Sequence, residues 1–343
     1  MTDRHPPAAQ APSPAPSETG ERGMATAVRD WPGRTLVAAH LRPDGDAVGA
    51  AFGLAHCLRA AGREAVCVGI APVSDIYDYL LEEAPPAFDG PPAPLPGDRL
   101  VVVDAGDVSR LPDSVKPLAG GALPVLCIDH HERSGGFPGA LSLVEPEAGS
   151  ASEIVFRVVE EAGLPVPRAA ADAFWTGVVT DTGRFGYAST SERTLLAAAR
   201  LVALGARVQT VSERVYGRVP LRRLRLQKRF LDHLSVTAGG AVALGWLAPE
   251  DYAAEGCDST DSENFVDLAR AVRGCRYAAF VRQVSPDRKV NVSLRGAPPL
   301  DVASICAEWG GGGHRAAAGA TLPPPLGAAV ETVRSRLEAA CGG

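Results

Sequence analysis

Residues 35–62 read TLVAAHLRPDGDAVGAAFGLAHCLRAAG, and this stretch decides the fold. An apolar run from Thr35 to His40 breaks at the polar turn LRPDGD and is followed by a helical pattern from Asp46 to Gly62. Val48, Phe52, Leu54 and Leu58 fall on apolar rows, Asp46 stands where an N-cap is expected, and a glycine stops the run. Strand, turn and helix in this order make a βα unit.

The same alternation extends along the chain. EAVCVGI, RLVVVDA and PVLCIDHH are short continuous apolar runs, which suit strands covered on both faces. Helical patterns follow at Ser150 to Ala162, Arg168 to Val179 and Ser191 to Leu204. The expected class is therefore α/β, with a doubly wound, mainly parallel sheet. Past the basic stretch YGRVPLRRLRLQKRF the pattern changes to hairpins. Gly239-Gly240 and Ser-Pro-Asp separate pairs of apolar runs, predicting a second, smaller α+β domain. The expected boundaries are a disordered Pro/Ala-rich tail at 1–27, the doubly wound domain at 28–206, a basic helical linker at 207–230 and the second, smaller domain at 231–343. Met24 opens the globular sequence and is a candidate biological start.

Composition narrows the functions. Lys and Arg number 34 against 40 Asp and Glu, a formal charge of −6, which argues against a protein that wraps long nucleic acid. The seven cysteines are odd in number and lack a C-x-x-C pair, so neither a disulfide framework nor a thiolate zinc site is expected and the cytoplasm is the default. No apolar run approaches the ~20 residues of a membrane span, and the N-terminus has no signal-peptide core.

Acids and histidines recur where strands are expected to end: His40, Asp44 and Asp46 after the first, Asp104 after RLVVV, Asp129, His130 and His131 after PVLCI, and Asp181 in FWTGVVTDTGRFGY. Ligands of open α/β sheets bind beyond the carboxyl ends of the strands. Taken singly, these residues read as turn formers, helix caps or surface histidines. Together they would repel unless a cation joined them. Six of them, His40, Asp44, Asp46, Asp104, His130 and Asp181, are enough for two ions bridged by Asp104. Their oxygen and imidazole donors suit Mn²⁺ and tolerate Mg²⁺ or Co²⁺.

HLRPDGDAVGA, VVVDAGD, IDHH and VVTDTGRF resemble the successive motifs of the DHH phosphoesterases, and NVSLRG with WGGGGHRAAAGA resembles that family's C-terminal substrate-binding domain. The resemblance runs from about Thr35 to Ala320. It implies one metal held by His40, Asp44 and Asp104 and a second held by Asp46, Asp104, His130 and Asp181. Asp104, Asp129 and His131 would be the catalytic residues, with Asp129 orienting a histidine and His131 touching the substrate phosphate or leaving oxygen. Ala50 and Arg42 depart from the serine and asparagine common at their positions. The layout is similar to bifunctional oligoribonuclease/pAp phosphatases. Implied is hydrolysis of short oligoribonucleotides, dinucleotides such as pApA, and 3′-phosphoadenosine 5′-phosphate, through two metals and a bridging water, with no membrane partner and a homodimer as a family-level expectation. The alternatives are a cyclic di-AMP phosphodiesterase, an inorganic pyrophosphatase, or a nucleotide-binding regulator without catalysis.

Gly310 to Gly313 can present backbone N–H groups as an anion nest beside His314, and Arg295 offers a planar fork to a phosphate. Gly311, Gly312, Gly313, His314, Arg295 and His131 are thus the candidate substrate contacts, against the plainer reading of a glycine linker. The basic stretch reads as a solvated helix face, and Phe185 and Tyr187 as core aromatics at least as well as base-stacking ones.

Overall fold

Thr35–Ala38 (β1) is buried throughout, as an unbroken apolar run in the middle of a parallel sheet requires. The computed structural model describes residues 20–71, 73–88, 90, 93–121, 123–131, 135–217 and 219–342. The chain divides into two units, Met1–Val215 and Tyr216–Gly343.

In the first unit β1 is preceded by α1 (Glu21–Asp30) and followed by α2 (Gly45–Ala60), β2 (Ala65–Val68), β3 (Ala87–Phe88), β4 (Arg99–Val103), α3 (Lys116–Ala119), β5 (Val125–Asp129) and β6 (Leu141–Val144). Helices α4 (Ala151–Glu161), α5 (Arg168–Asp181), α6 (Glu192–Ala203) and α7 (Val208–Ser212) complete it. The sheet order is β3-β2-β1-β4-β5-β6, with every neighbouring pair parallel. Successive strands run outward from β1 on one side and from β4 on the other, so the order reverses between these two. That is where an open α/β sheet forms its ligand crevice.

Helix α2 meets α5 along a row of glycines spaced four apart. A Cβ on Gly45 would stand 2.5 Å from Thr180 Oγ1, one on Gly49 2.4 Å from the Ala173 carbonyl, and one on Gly53 2.3 Å from the Phe174 ring. Only bare backbone permits this approach.

Helix α1 corrects the expectation of disorder over its own residues up to 27; residues 1–19 lie outside the described residues. Average composition hides a stripe of Met24, Ala25 and Val28, all buried. Glu21, upstream of Met24, pairs with Arg157 and, at 3.3 Å, with Arg193. The buried Arg99 caps the other end, Nη2 donating to the Val28 carbonyl at 3.0 Å.

The second unit contains α8 (Leu221–Asp232), β7 (Ser235–Thr237), β8 (Val242–Leu247), α9 (Pro249–Glu255), α10 (Val266–Arg270), β9 (Tyr277–Arg282), β10 (Val290–Gly296), α11 (Val302–Ala307), β11 (Gly312–His314), β12 (Ala317–Leu322) and α12 (Leu326–Gly342). Its sheet order is β11-β12-β10-β9-β8-β7, parallel only between β8 and β9. The stretch expected to be a linker divides instead. Val211 of α7 is buried in the first unit, whereas Leu226 and Phe230 of α8 belong to a core with Ala243, Leu247 and Phe280. The basic residues mask that buried seam in a sequence reading. Among the described residues no single helix is long and apolar enough to cross a membrane.

Candidate metal centre

The chain leaves β1 through His40 and enters α2 under an Asp44 cap, whose Oδ1 accepts the N–H groups of Asp46 and Ala47 at 3.1 Å each. Asp44, not Asp46, is thus the capping residue. This frees Asp46, in the first turn of α2, to point inward, where it is buried. Asp104 follows β4 at φ 53, a left-handed conformation costly for most side chains and tolerated best by Asp and Asn among them. Asp129 ends β5, and His130 and His131 come next. Asp181 is the last residue of helix α5, which continues the helical pattern expected at Arg168 to Val179, and not the strand end at which the acid was also expected. The run FWTGVVT is apolar and β-branched, which suits a buried helix as well as a strand.

These residues converge. His40 Nε2 lies 3.4 Å from Asp104 Oδ2 and 3.8 Å from Asp44 Oδ1. His130 Nε2 lies 3.5 Å from Asp104 Oδ1, 3.5 Å from Asp181 Oδ2 and 3.8 Å from Asp46 Oδ2. Such spacings exceed good hydrogen bonds. Ligands about 2.1 Å from a shared ion stand roughly 3.0–3.5 Å apart; the spacings at 3.4–3.5 Å match this and the two at 3.8 Å lie just beyond it. Both rings turn Nδ1 to a main-chain carbonyl, His40 to Leu41 at 3.0 Å and His130 to Ala148 at 3.4 Å, leaving Nε2 for the centre. Asp104 Oδ1 is buried and accepts no hydrogen bond. The residues present therefore fit a divalent cation, and a donor set of carboxylate oxygen and imidazole suits a hard or borderline one.

The electrostatics lead to the same place. Burial opposes protonation of His40 and His130, yet the facing carboxylates outweigh it and hold both imidazoles well above their usual range. Burial also raises Asp104, but His130 and His40 pull it well below an ordinary carboxyl. Burial, then the charges of Asp104 and Asp181, push Asp46 well up. Asp181 is raised to about 6 by burial, with His130 pulling against it and Asp44 and Asp104 adding to it. Acids that prefer a proton at this depth mark a shortage of positive charge.

Beside the cluster, His131 Nδ1 is 2.8 Å from Asp129 Oδ1, and Asp129 is fully buried. Phe185 packs against Trp175 with ring centres 5.8 Å apart, and the Tyr187 ring lies in the space beside Gly183; both rings are half-buried.

The remaining predicted residues lie in the second unit. Arg295 on β10 and His314 on β11 both pair with Ala317 of β12, which places them on one face of the sheet with that alanine between them. Arg295 Nε is buried without a hydrogen-bond partner, 3.8 Å from Asp267 Oδ1. Gly310 N–H donates to Ala307 at 3.0 Å and Gly311 N–H to Cys306 at 2.9 Å, closing α11, and Gly312 and Gly313 pair with β12, so the glycine run serves the fold before any anion. Helix capping claims the first two.

Residues 34–178 match the model described as DHH family, N-terminal domain. The protein named bifunctional oligoribonuclease and PAP phosphatase NrnA from Thermus thermophilus is 32% identical over 308 residues, spanning 88% of each chain. This chain belongs to the DHH family. A second relative, the cyclic-di-AMP phosphodiesterase PdeA of Listeria monocytogenes, is 29% identical across 82% of this chain and 43% of its own length. An exopolyphosphatase-related protein from Bacteroides fragilis shares the fold with TM-score 0.80 at 24% identity, covering 94% of this chain and 96% of that one.

In this DHH chain the sequence reading passed over Ala148, Ala151, Ser152 and Gly177. Ala148 holds His130 through its carbonyl, and the N–H groups of Ala151 and Ser152 hold Asp46. Their signal was available only as a helix start, Ser150-Ala-Ser-Glu153, because backbone donors leave no mark on residue type.

Proposed function

We propose that this chain is a phosphoesterase that hydrolyses short oligoribonucleotides and 3′-phosphoadenosine 5′-phosphate in the cytoplasm, using two Mn²⁺ ions that Mg²⁺ or Co²⁺ can replace. The observation that carries this reading is the buried Asp104 carboxylate, set between His40 and His130 with one oxygen that accepts no hydrogen bond. The substrate class follows the name of the Thermus thermophilus relative. His40, Asp44 and Asp104 would hold one ion; Asp46, Asp104, His130 and Asp181 would hold the other. When bound, such a pair lowers the pKa of water and neutralises charge on the phosphoryl oxygens.

The chain's own groups do the rest. The Leu41 and Ala148 carbonyls fix the tautomers of His40 and His130. Asp129 fixes His131 through Nδ1, so that Nε2 is the atom that meets the substrate phosphate or gives a proton to the leaving oxygen. Arg295 and His314, in one row of the second sheet, are the donors we assign to a substrate phosphate.

A panel of pAp, pApA, a long single-stranded RNA, cyclic di-AMP and pyrophosphate, each with Mn²⁺, tests the reading. Fast turnover of pApA and pAp and slow turnover of long RNA are expected. Cleavage of long RNA as fast as pApA, or of pyrophosphate alone, overturns it. The identity with PdeA supports cyclic di-AMP hydrolysis as a second reading, and the same panel ranks the two.

A further inference from the structure

Asp46 is held by residues that belong to none of the acid and histidine motifs. Both its carboxylate oxygens accept main-chain donors from the first turn of α4: Ala151 N–H to Oδ2 at 2.6 Å and Ser152 N–H to Oδ1 at 2.8 Å. Ser152 Oγ donates in addition to the Asp46 carbonyl at 3.2 Å. The N-terminal end of an 11-residue helix thus carries its partial positive charge directly against this acid. On the other side lies Gly177 of α5, where a Cβ would stand 2.7 Å from Asp46 Oδ1 and 1.9 Å from Ser152 Oγ. Asp46 is wedged between one helix end and one glycine.

The same segment also aims His130, through the Ala148 carbonyl at 3.4 Å. It is pinned from behind by Glu153, which is buried and whose Oε2 accepts Gly149 N–H at 2.9 Å and Thr194 Oγ1 at 2.7 Å. Two of the three residues given only to the second metal are therefore positioned by one five-residue stretch, 148–152. His40 and Asp44 are held elsewhere, by the Leu41 carbonyl and the start of α2.

We propose that segment 148–152, with Gly177 opposite it, is a positioning device that sets the metal affinity of the Asp46–His130–Asp181 position selectively, leaving the His40–Asp44 position untouched. The inference rests on the two-metal reading above.

The test is Mn²⁺ titration by isothermal calorimetry on the chelator-stripped full chain, with melting temperature recorded for each variant. Wild type is expected to bind two ions. In Gly177→Ala one ion should keep its affinity while the other weakens at least tenfold. kcat should fall and recover at raised Mn²⁺, with the KM for pApA unchanged. Ser152→Ala removes the hydroxyl bond to the Asp46 carbonyl but keeps both main-chain donors, and should weaken the same ion by less than Gly177→Ala does. Should Gly177→Ala fail to fold, Ala151→Pro decides. The first helical position accepts proline and Ser150 is already extended (φ −170, ψ 160), so the helix survives while the donor to Oδ2 is lost. Two ions bound with unchanged affinity, or both weakened equally, overturns the proposal. A wild-type chain that binds no Mn²⁺ overturns the metal reading itself.

Discussion

Asp104 faces His130 across 3.5 Å, Oδ1 to Nε2, and that oxygen accepts no hydrogen bond although it is buried. A buried carboxylate oxygen without a donor is costly, and the fold keeps it beside a second imidazole, His40, 3.4 Å from Oδ2. Asp104→Asn should keep the fold, since asparagine tolerates the φ of 53 found there, and should abolish binding at both metal positions. Turnover of pApA should fall by about a thousandfold or more. Metal content and single-turnover rates check this, and near-normal activity with added Mn²⁺ refutes the bridge.

Metal affinity should rise with pH. Asp46 and Asp181 are displaced upward, the latter to about 6, and His40 and His130 are also displaced upward. Every one of these protons must leave before a cation enters, so low pH favours the proton and high pH the metal. Calorimetry in buffers of different ionisation enthalpy, from about pH 5 to about pH 8, should show proton release and tightening across the range. A flat profile contradicts the assigned shifts.

The α2–α5 seam should tolerate no added methyl. Gly53→Ala places a Cβ 2.3 Å from the Phe174 ring, an overpacking that costs about 1–3 kcal/mol. Urea unfolding measures the loss, and an unchanged midpoint would mean that the helices part at no cost.

Arg295→Ala should raise the KM for pApA about tenfold or more with little change in kcat, as expected for removal of a charged contact to a substrate phosphate. Steady-state kinetics decide it. A fall in kcat at constant KM would move Arg295 to another role.

A chain begun at Met24 should melt earlier than the full sequence. It lacks Glu21, which pairs with Arg157 and Arg193, and breaking a part-buried pair of this kind costs about 1 kcal/mol. Equal melting temperatures would remove α1's first turn from the stability of the unit.

Much of this was readable in the residues because charge and periodicity write themselves into composition. His40, Asp44, Asp46, Asp104 and His130 could be named because acids and imidazoles at the ends of apolar runs are scarce without a reason. The strand–helix alternation fixed the parallel sheet for the same cause. Asp181 was set at a strand end although the helical pattern expected at Arg168 to Val179 runs up to it and α5 closes on it, since the buried run Phe174 to Val179 has no amphipathic rhythm of its own. Helix α1 was hidden by proline-rich neighbours; α8 was expected as a helix, but its arginines hid the seam of Leu226 and Phe230 that joins it to the second unit's core. The donors at Ala151 and Ser152 could not be read at all, since every residue but proline has the same N–H.

The glycine row on α2 has one more consequence. Asp46 rides on that helix and Asp181 ends its neighbour, so the span between two acids is gauged by a glycine face pressed onto α5, against the Ala173 carbonyl at Gly49 and the Thr180 and Phe174 side chains at Gly45 and Gly53. Warming should therefore not loosen the active centre ahead of the rest: heat inactivation and melting should trace one curve.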